Sequence, residues 1–119
     1  MFPPRVLRPR VVRVRGRSME PTLHEGDLLI ALWGATPRPG SIAVVRLPND
    51  SAGSARPVSI KRVTGRDPED ASLWWLDSDN PREGLTSFDV GSIPPTDVLA
   101  MAVARLWPRP RKLSPRHTG

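Results

Sequence analysis

The sequence contains no cysteine and no tyrosine, and it has only two lysines and two histidines. Without cysteine, disulfide bonds and thiolate metal sites are excluded, and the redox compartment is left open. No apolar run approaches the roughly 20 residues that a membrane-spanning helix needs. The first ten residues also lack the apolar core of a signal peptide. These absences favour a small domain that folds around its own hydrophobic core in the cytoplasm.

Arginine and proline are abundant instead. Sixteen of the 18 basic residues are arginine, and the formal net charge is +6. The proline-rich ends predict a flexible basic arm at residues 1–10 and a disordered basic tail at residues 108–119, around one domain at residues 11–107. Because the charge lies at the ends rather than on a folded patch, nucleic acid is not an expected partner. Contact of the arm with an anionic membrane surface is left open, as is the oligomeric state.

Short apolar and β-branched runs, separated by glycine and proline, recur along the chain and predict strands. They fall at residues 11–15, 27–33, 41–47, 58–64 and 73–76. Residues 98–107 have high helix propensity one by one, although their valines are equally compatible with a strand. Residues 48–57 and 77–93 are rich in glycine, proline and serine and are predicted to be irregular. This pattern is typical of a mainly β domain.

One stretch, residues 16–27, offers a serine hydroxyl on a tight loop bounded by glycine and proline. A serine needs a base before it can act as a nucleophile at neutral pH. The two histidines are poor candidates, because His24 follows Ser18 by only six residues and His117 lies in the basic tail. The candidate base that remains is Lys61, in the middle of a predicted strand. The two residues together predict a Ser-Lys dyad, a recognised variant of the catalytic triad.

The lysine must lose its proton to act as a base, although its reference pKa is about 10.4. The apolar neighbours Val58, Ile60 and Val63 are expected to disfavour the charged form by excluding water. Arginine could not replace it, because guanidinium stays protonated. Lys61 is therefore notable in a chain that otherwise uses arginine. The competing interpretation is a strand lysine with its ammonium group in water and a Ser18 that only caps a turn.

The boxes around these residues resemble the S26 signal-peptidase family and its LexA-like S24 relatives. The matching boxes are Ser-Met-Glu-Pro-Thr-Leu from Ser18, Gly-Asp at 26–27, Lys-Arg-Val from Lys61, and Asp-Asn at 79–80. The short form, with its Trp-Trp strand and closing Ala-Arg-Leu-Trp-Pro, is most similar to nickel-type superoxide dismutase maturation proteases. The resemblance covers about residues 12–107 and implies that residues 98–107 form a strand. It implies a mainly β fold, a coiled, partly open β-barrel with short loops and little helix.

The resemblance also implies roles for the residues of the first two boxes. Ser18 would be the nucleophile and Lys61 the general base. Some relatives carry a hydroxyl two residues before the nucleophile, where this chain has Gly16. The oxyanion donors would therefore be backbone groups at Gly16 and Ser18, or groups on the substrate side. Met19 and Pro21 would contact the substrate.

Four further residues are implied as supports. In relatives the aspartate of the Asp-Asn box pairs with the arginine that follows the lysine, which here predicts an ion pair of Arg62 with Asp79, next to Asn80. A serine stands where the family has glycine before that aspartate. The family's later Asp-Ser-Arg box reads Thr-Ser-Phe in this chain. Ser87, or the threonine before it, is expected to hydrogen-bond Lys61.

These features together predict an endopeptidase that removes the N-terminal propeptide of a precursor protein, with a nickel superoxide dismutase precursor as the expected client. An S24-type self-processing or regulatory domain is one alternative, and a type I signal peptidase acting at the membrane surface is another. The acidic residues and histidine between positions 20 and 27 lie too close together for a metal site, so no metal or cofactor is expected. The four tryptophans are predicted to pack in the core rather than to stack on nucleic acid.

Overall fold

Short, mostly apolar runs between glycine and proline turns form the central strands of this chain, as a computed structural model of residues 7–115 describes it. Seven strands, one α-helical turn and one 3-10 turn (Pro95–Asp97) are present in those residues. They are β1 Arg8–Arg13, β2 Leu28–Trp33, β3 Ser41–Val45, β4 Ser59–Arg66, β5 Trp74–Asp77, α1 Ser87–Val90, β6 Val98–Trp107 and β7 Arg111–Lys112. No helix in this part of the chain has the length and apolarity to cross a membrane.

The strands form one antiparallel sheet in the order β1-β2-β6-β3-β4-β5, with β7 added beside β6. The ten-residue β6 pairs with β3 from Val98 to Met101 on one edge and with β2 from Ala100 to Trp107 on the other. β7 pairs with Ala104 and Arg105, beyond the end of the β3 pairing. The sheet does not close, since β1 and β5 stand at opposite ends of the order. The predicted mainly β, partly open architecture with little helix is confirmed.

Residues 98–107 form a strand, although most of them favour a helix one by one. Their first half alternates between buried and half-buried side chains, with Val98, Ala100 and Ala102 on the buried side. That alternation is the period of a strand. Because β2 and β3 each present an unpaired edge to this segment, pairing on both sides outweighs the helix propensity of alanine and methionine.

Two clusters of buried side chains form most of the core. One lies around β3–β6 and contains Ala43, Val45, Leu47, Val63, Trp74, Leu76, Ile93 and Val98. The other lies under the loop that follows β1 and contains Val14, Met19, Leu23, Leu29, Ile42 and Ala102. The second cluster therefore anchors the loop that carries Ser18 directly to the sheet.

The tryptophans differ in their surroundings, and the prediction that all four pack in the core is wrong for one. Trp74 is buried, with the guanidinium of Arg66 stacked 3.7 Å from the centre of its ring. Trp33 and Trp75 are half-buried. Trp107 is 57% exposed, because it lies at the end of β6, where the sheet no longer covers it.

The two ends of the domain are more ordered than their composition predicts. β1 begins at Arg8, inside the predicted arm, because backbone pairing with β2 needs no apolar side chains. In the predicted tail, the Leu113 N–H donates to the Val103 carbonyl at 3.0 Å, and the Leu113 side chain packs against the second cluster. Arg111 donates to the Thr22 carbonyl at 3.1 Å. The remaining parts of the predicted arm and tail, residues 1–6 and 116–119, lie outside the described residues.

Candidate active site

The loop of residues 16–27 is fixed at its base and along its inner side. Val14 donates to the Asp27 carbonyl at 2.8 Å, and the Gly26 N–H donates back to Val14 at 2.8 Å. Met19, only 1% exposed, and the fully buried Leu23 hold the loop on the second cluster. Met19 therefore anchors the loop from the core side, where a substrate does not reach. Ser18 is left half-buried beside the cleft described below.

Pro21, the other residue expected to contact a substrate, is exposed on the outer part of this loop. It is not among the residues that line the cleft beside Ser18. The apolar residues that line the cleft are Leu47, Pro57 and Leu85, of which Pro57 is exposed, Leu85 is half-buried and Leu47 is buried.

Lys61 lies in the interior of β4, opposite Ala43 of β3, and is 3% exposed. Its Nζ donates to the hydroxyl of Ser78 at 3.2 Å. Burial lowers the pKa of Lys61 below its ordinary value of 10.5, and the Asp89 carboxylate on α1 partly opposes this by raising it. Desolvation is the larger effect, so the amine loses its proton more readily than an exposed lysine would.

Ser18 and Lys61 meet at one side of a cleft of about 440 Å³. Gly84 lies directly against both of them. A Cβ atom added to Gly84 would lie 2.6 Å from Lys61 Nζ and 2.6 Å from Ser18 Cβ. Nζ and the Ser18 Cβ are therefore no farther from each other than twice that distance. Since the serine oxygen extends one bond beyond Cβ, rotation about χ1 can bring the hydroxyl into the neighbourhood of the amine.

A bridging segment, Ser78–Asn80, follows β5 and connects the lysine strand with the serine loop. Its central residue, Asp79, accepts hydrogen bonds from Arg62 Nε at 3.1 Å and Nη2 at 2.5 Å. The other guanidinium nitrogen, Nη1, donates to the Gly40 carbonyl at 2.9 Å. Asp79 also accepts from the Thr22 hydroxyl at 2.5 Å. The ion pair expected between Arg62 and Asp79 is present, and the same carboxylate reaches the serine loop.

The two outer residues of the bridging segment contact the two candidate catalytic residues. The Asn80 N–H donates to the Ser18 carbonyl at 2.9 Å, and its side-chain amide donates to the Arg17 carbonyl at 3.1 Å. At the other end, Ser78 accepts from Lys61. Successive residues of β4 thus bind successive residues of the bridging segment. This fixes the position of Lys61 relative to Ser18.

A family model described as Peptidase S24-like matches residues 8–89, more than half of the chain. The chain belongs to the Peptidase S24-like family. Serine peptidase chemistry and a protein or peptide substrate follow at the level of this family. The matched range contains Ser18, Lys61 and the whole bridging segment. No curated protein and no solved structure matches the chain.

Ser87 of this S24-like chain has a different partner from the one expected. Its buried hydroxyl accepts the Leu76 N–H at 2.7 Å, which ties α1 to β5. Thr86 caps the start of α1, where its hydroxyl accepts the Phe88 N–H at 3.2 Å. The hydrogen bond to Lys61 comes from the bridging segment instead. The threonine of Thr-Ser-Phe forms a capping box with Asp89, so its hydroxyl is engaged by the helix turn and that of Ser87 by β5.

The backbone conformation at position 16 requires a glycine. Its φ of +75° lies in the left-handed region, and a Cβ added there would meet nothing within 4 Å. The residue is thus required by the turn itself. Its N–H points to the Glu25 carboxylate, at a long distance of 3.4 Å. Of the two backbone groups expected to face an oxyanion, the N–H of Ser18 is the better candidate.

Gly84 is the site residue that sequence reasoning missed, and replacing it with alanine tests the geometry of the cleft. Its φ is +83°, and the added methyl would press on Lys61 and Ser18 and lie 3.0 Å from the Ser78 hydroxyl. We expect Gly84→Ala to lower kcat/KM by about a hundredfold, because small displacements of reacting groups have effects of that size. In the sequence, the only signal for this position is a glycine between the Asp-Asn box at 79–80 and the Thr-Ser-Phe stretch at 86–88.

Gly53→Ala is the matched control, because Gly53 has a φ of +82° with nothing within 4 Å of an added Cβ. Both variants should lose roughly 1–3 kcal/mol of stability from backbone strain. Only Gly84→Ala should lose activity in addition. Melting temperatures and peptide cleavage rates measured side by side separate the two effects. Equal cleavage rates in the two variants would mean that Gly84 does not contact a working dyad.

Proposed function

We propose that this S24-like chain is an endopeptidase in which Ser18 is the nucleophile and Lys61 the general base. The observation that carries the proposal is the contact that both residues share at Gly84, with the lysine amine buried and Ser18 lining an open cleft. His24, by contrast, is exposed and is not among the cleft residues. Lys61 adjoins Ser18 at Gly84, and its amine can take up a proton once it is neutral.

In the proposed reaction the neutral amine of Lys61 removes the proton of the Ser18 hydroxyl as the oxygen attacks the scissile carbonyl carbon. The carbonyl oxygen becomes negatively charged, and the Ser18 N–H stabilises it. The intermediate collapses, the peptide bond breaks, and the leaving amine takes the proton from Lys61. Water then attacks the acyl-enzyme ester and gives a proton to Lys61. The ester C–O bond to Ser18 breaks, Lys61 returns the proton to the Ser18 oxygen, and the carboxylic acid product leaves.

For the substrate, we propose the N-terminal propeptide of a precursor protein, bound in an extended conformation along the cleft. The cleft is open and lined by Leu47, Pro57 and Leu85, which suits small apolar side chains around the cleaved bond. A nickel superoxide dismutase precursor is the proposed client, on the strength of the Trp-Trp strand and the closing Ala-Arg-Leu-Trp-Pro in the sequence. S26-type processing in trans is the corresponding mode of action.

Self-processing is the second candidate, because the matching family model is of the S24 type. The two candidates differ in what is cut. A maturation protease cleaves a separate chain at a rate that grows with enzyme concentration. A self-processing domain shortens its own chain at a rate that does not depend on concentration.

The test is to incubate the purified chain with the superoxide dismutase precursor and to follow both intact masses over time. We expect the precursor to lose its N-terminal segment while the mass of the chain itself stays constant. The Ser18→Ala chain, purified in the same way, controls for contaminating proteases. A denatured peptide library run in parallel separates the parts of the proposal. Cleavage of library peptides alone would contradict the client, and cleavage of neither substrate would contradict the peptidase.

A further inference from the structure

The hydroxyl that contacts Lys61 belongs to Ser78, a residue to which the sequence analysis gave no role. Its oxygen accepts a hydrogen bond from Nζ at 3.2 Å. Ser78 also lies close to the meeting point of the dyad, since a Cβ added to Gly84 would be 3.0 Å from its oxygen. Among the described residues, no other side-chain hydrogen bond of the lysine amine is found.

The backbone on both sides of Ser78 is fixed. The preceding residue, Asp77, ends β5, pairs with Arg62 of β4 and accepts from the Thr64 hydroxyl at 3.1 Å. The following residue, Asp79, is held by the buried ion pair with Arg62. The hydroxyl of Ser78 is therefore presented to Lys61 from a rigid support rather than from a loop that can move away.

We propose that Ser78 is the positioning residue of the base: it holds the Lys61 amine so that the nitrogen lone pair faces Ser18. The inference rests on the proposed function. A neutral amine has two N–H donors and one lone pair. Directing one N–H to Ser78 restricts the rotation of the amine and leaves the lone pair toward the cleft. A positioning group of this kind contributes to the rate without touching the substrate.

The same hydrogen bond affects the proton affinity of Lys61. The Ser78 oxygen accepts more strongly from an ammonium than from an amine, so it favours the charged form. The other charged groups near the amine are Asp89 on α1 and, around the cleft, Glu83 and the arginines at positions 15, 17 and 56. None of these changes when Ser78 is replaced. A difference in the pKa of Lys61 between wild type and Ser78→Ala thus reports the hydroxyl.

The chain offers a direct measurement, because it has only two lysines. With ¹³C-labelled lysine, NMR gives one Cε signal for Lys61 and one for the exposed Lys112, which serves as the internal reference. In Ser78→Ala we expect the pKa of Lys61 to fall below its wild-type value. On the peptide cleaved fastest from the library, we expect kcat at the high-pH plateau to fall about tenfold or more with little change in KM.

Two further variants separate positioning from a structural effect. Ser78→Thr keeps the hydroxyl and should retain most of the wild-type kcat and the wild-type pKa of Lys61. Ser87→Ala removes a buried hydroxyl that binds the Leu76 N–H, so it should lower stability and leave the pKa of Lys61 unchanged.

An unchanged pKa of Lys61 in Ser78→Ala would overturn the inference, as would an unchanged kcat or an equal pKa shift in Ser87→Ala. If the wild type cleaves no peptide, the proposed function is wrong, and so is the positioning role that depends on it. The NMR titration would still decide whether Ser78 holds the amine. The failure of the function and the failure of the contact are thus read from different measurements.

Discussion

Ser18→Ala and Lys61→Arg are expected to remove peptide cleavage, the first completely and the second by at least about a hundredfold. Alanine has no oxygen to attack the carbonyl carbon. Arginine keeps the positive charge and most of the stem, but its guanidinium does not lose a proton near neutral pH. Since a general base is typically worth a factor of 10² to 10⁴, the loss in Lys61→Arg separates a base from a charge.

The wild-type rate should rise with pH as Lys61 loses its proton. The rise should come below the ordinary lysine pKa of 10.5, because burial lowers the pKa of this group. The free energy of unfolding should also rise with pH because of Lys61. Between the lowered folded pKa and the ordinary unfolded pKa, the unfolded chain binds more protons than the folded one, so stability increases with pH across that window.

Rates measured from pH 5 to pH 10 on one peptide check this prediction. Lys112→Arg is the matched control, because it makes the same substitution at the exposed lysine of β7. It should cleave at the wild-type rate with the wild-type pH profile. An active Lys61→Arg chain, or a wild-type rate independent of pH, would show that Lys61 is not the base.

Asp79→Ala is expected to lower the free energy of unfolding by about 3–5 kcal/mol. The side chains of Arg62 and Asp79 are only 5% and 4% exposed, so removing the carboxylate leaves a buried, unpaired guanidinium. The hydrogen bond from the Thr22 hydroxyl to Asp79 is lost at the same time. For a domain whose total stability is about 5–15 kcal/mol, this is a large fraction.

Urea unfolding of three variants tests the prediction. The control is Asp97→Ala, which breaks the ion pair of Arg46 with Asp97, where the side chains are 61% and 29% exposed and 3.8 Å apart. That change should cost less than about 1 kcal/mol. Adding Arg62→Met to Asp79→Ala removes the orphaned charge and should restore part of the loss. A cost for Asp79→Ala as small as that of the control would contradict the buried ion pair as a main support.

The sheet could be predicted from the sequence because its signals are local. Five of the predicted strands differ from the observed ones by no more than three residues at either end, since glycine and proline mark the turns. β7 could not be predicted in this way. Its two basic residues carry no strand signal, and its place depends on where β3 stops pairing with β6.

The candidate site was predictable where a residue type is chemically restricted and not where only geometry decides. Ser18, Lys61 and the Arg62 pairing follow from boxes whose chemistry allows few alternatives. Ser78 and Gly84 do not, because serine and glycine are common in turns. Their positions depend on how the segment after β5 folds back over Ser18 and Lys61, and that path is set by contacts distant in sequence.

The bridging segment determines when in folding a working site can exist. Its hydrogen bonds connect residues 57 and 63 positions apart, from Thr22 to Asp79 and from Arg17 to Asn80. Contacts of such long range form late, because closing the long intervening loop costs conformational entropy before the contacts can stabilise the fold. A partly synthesised chain of residues 1–77 already contains Ser18 and Lys61 but lacks the hydrogen bonds of the bridging segment to Lys61, Arg62 and the serine loop. If the proposed function is right, full activity is expected only once residues 78–80 have made these contacts, after β5 has joined the sheet.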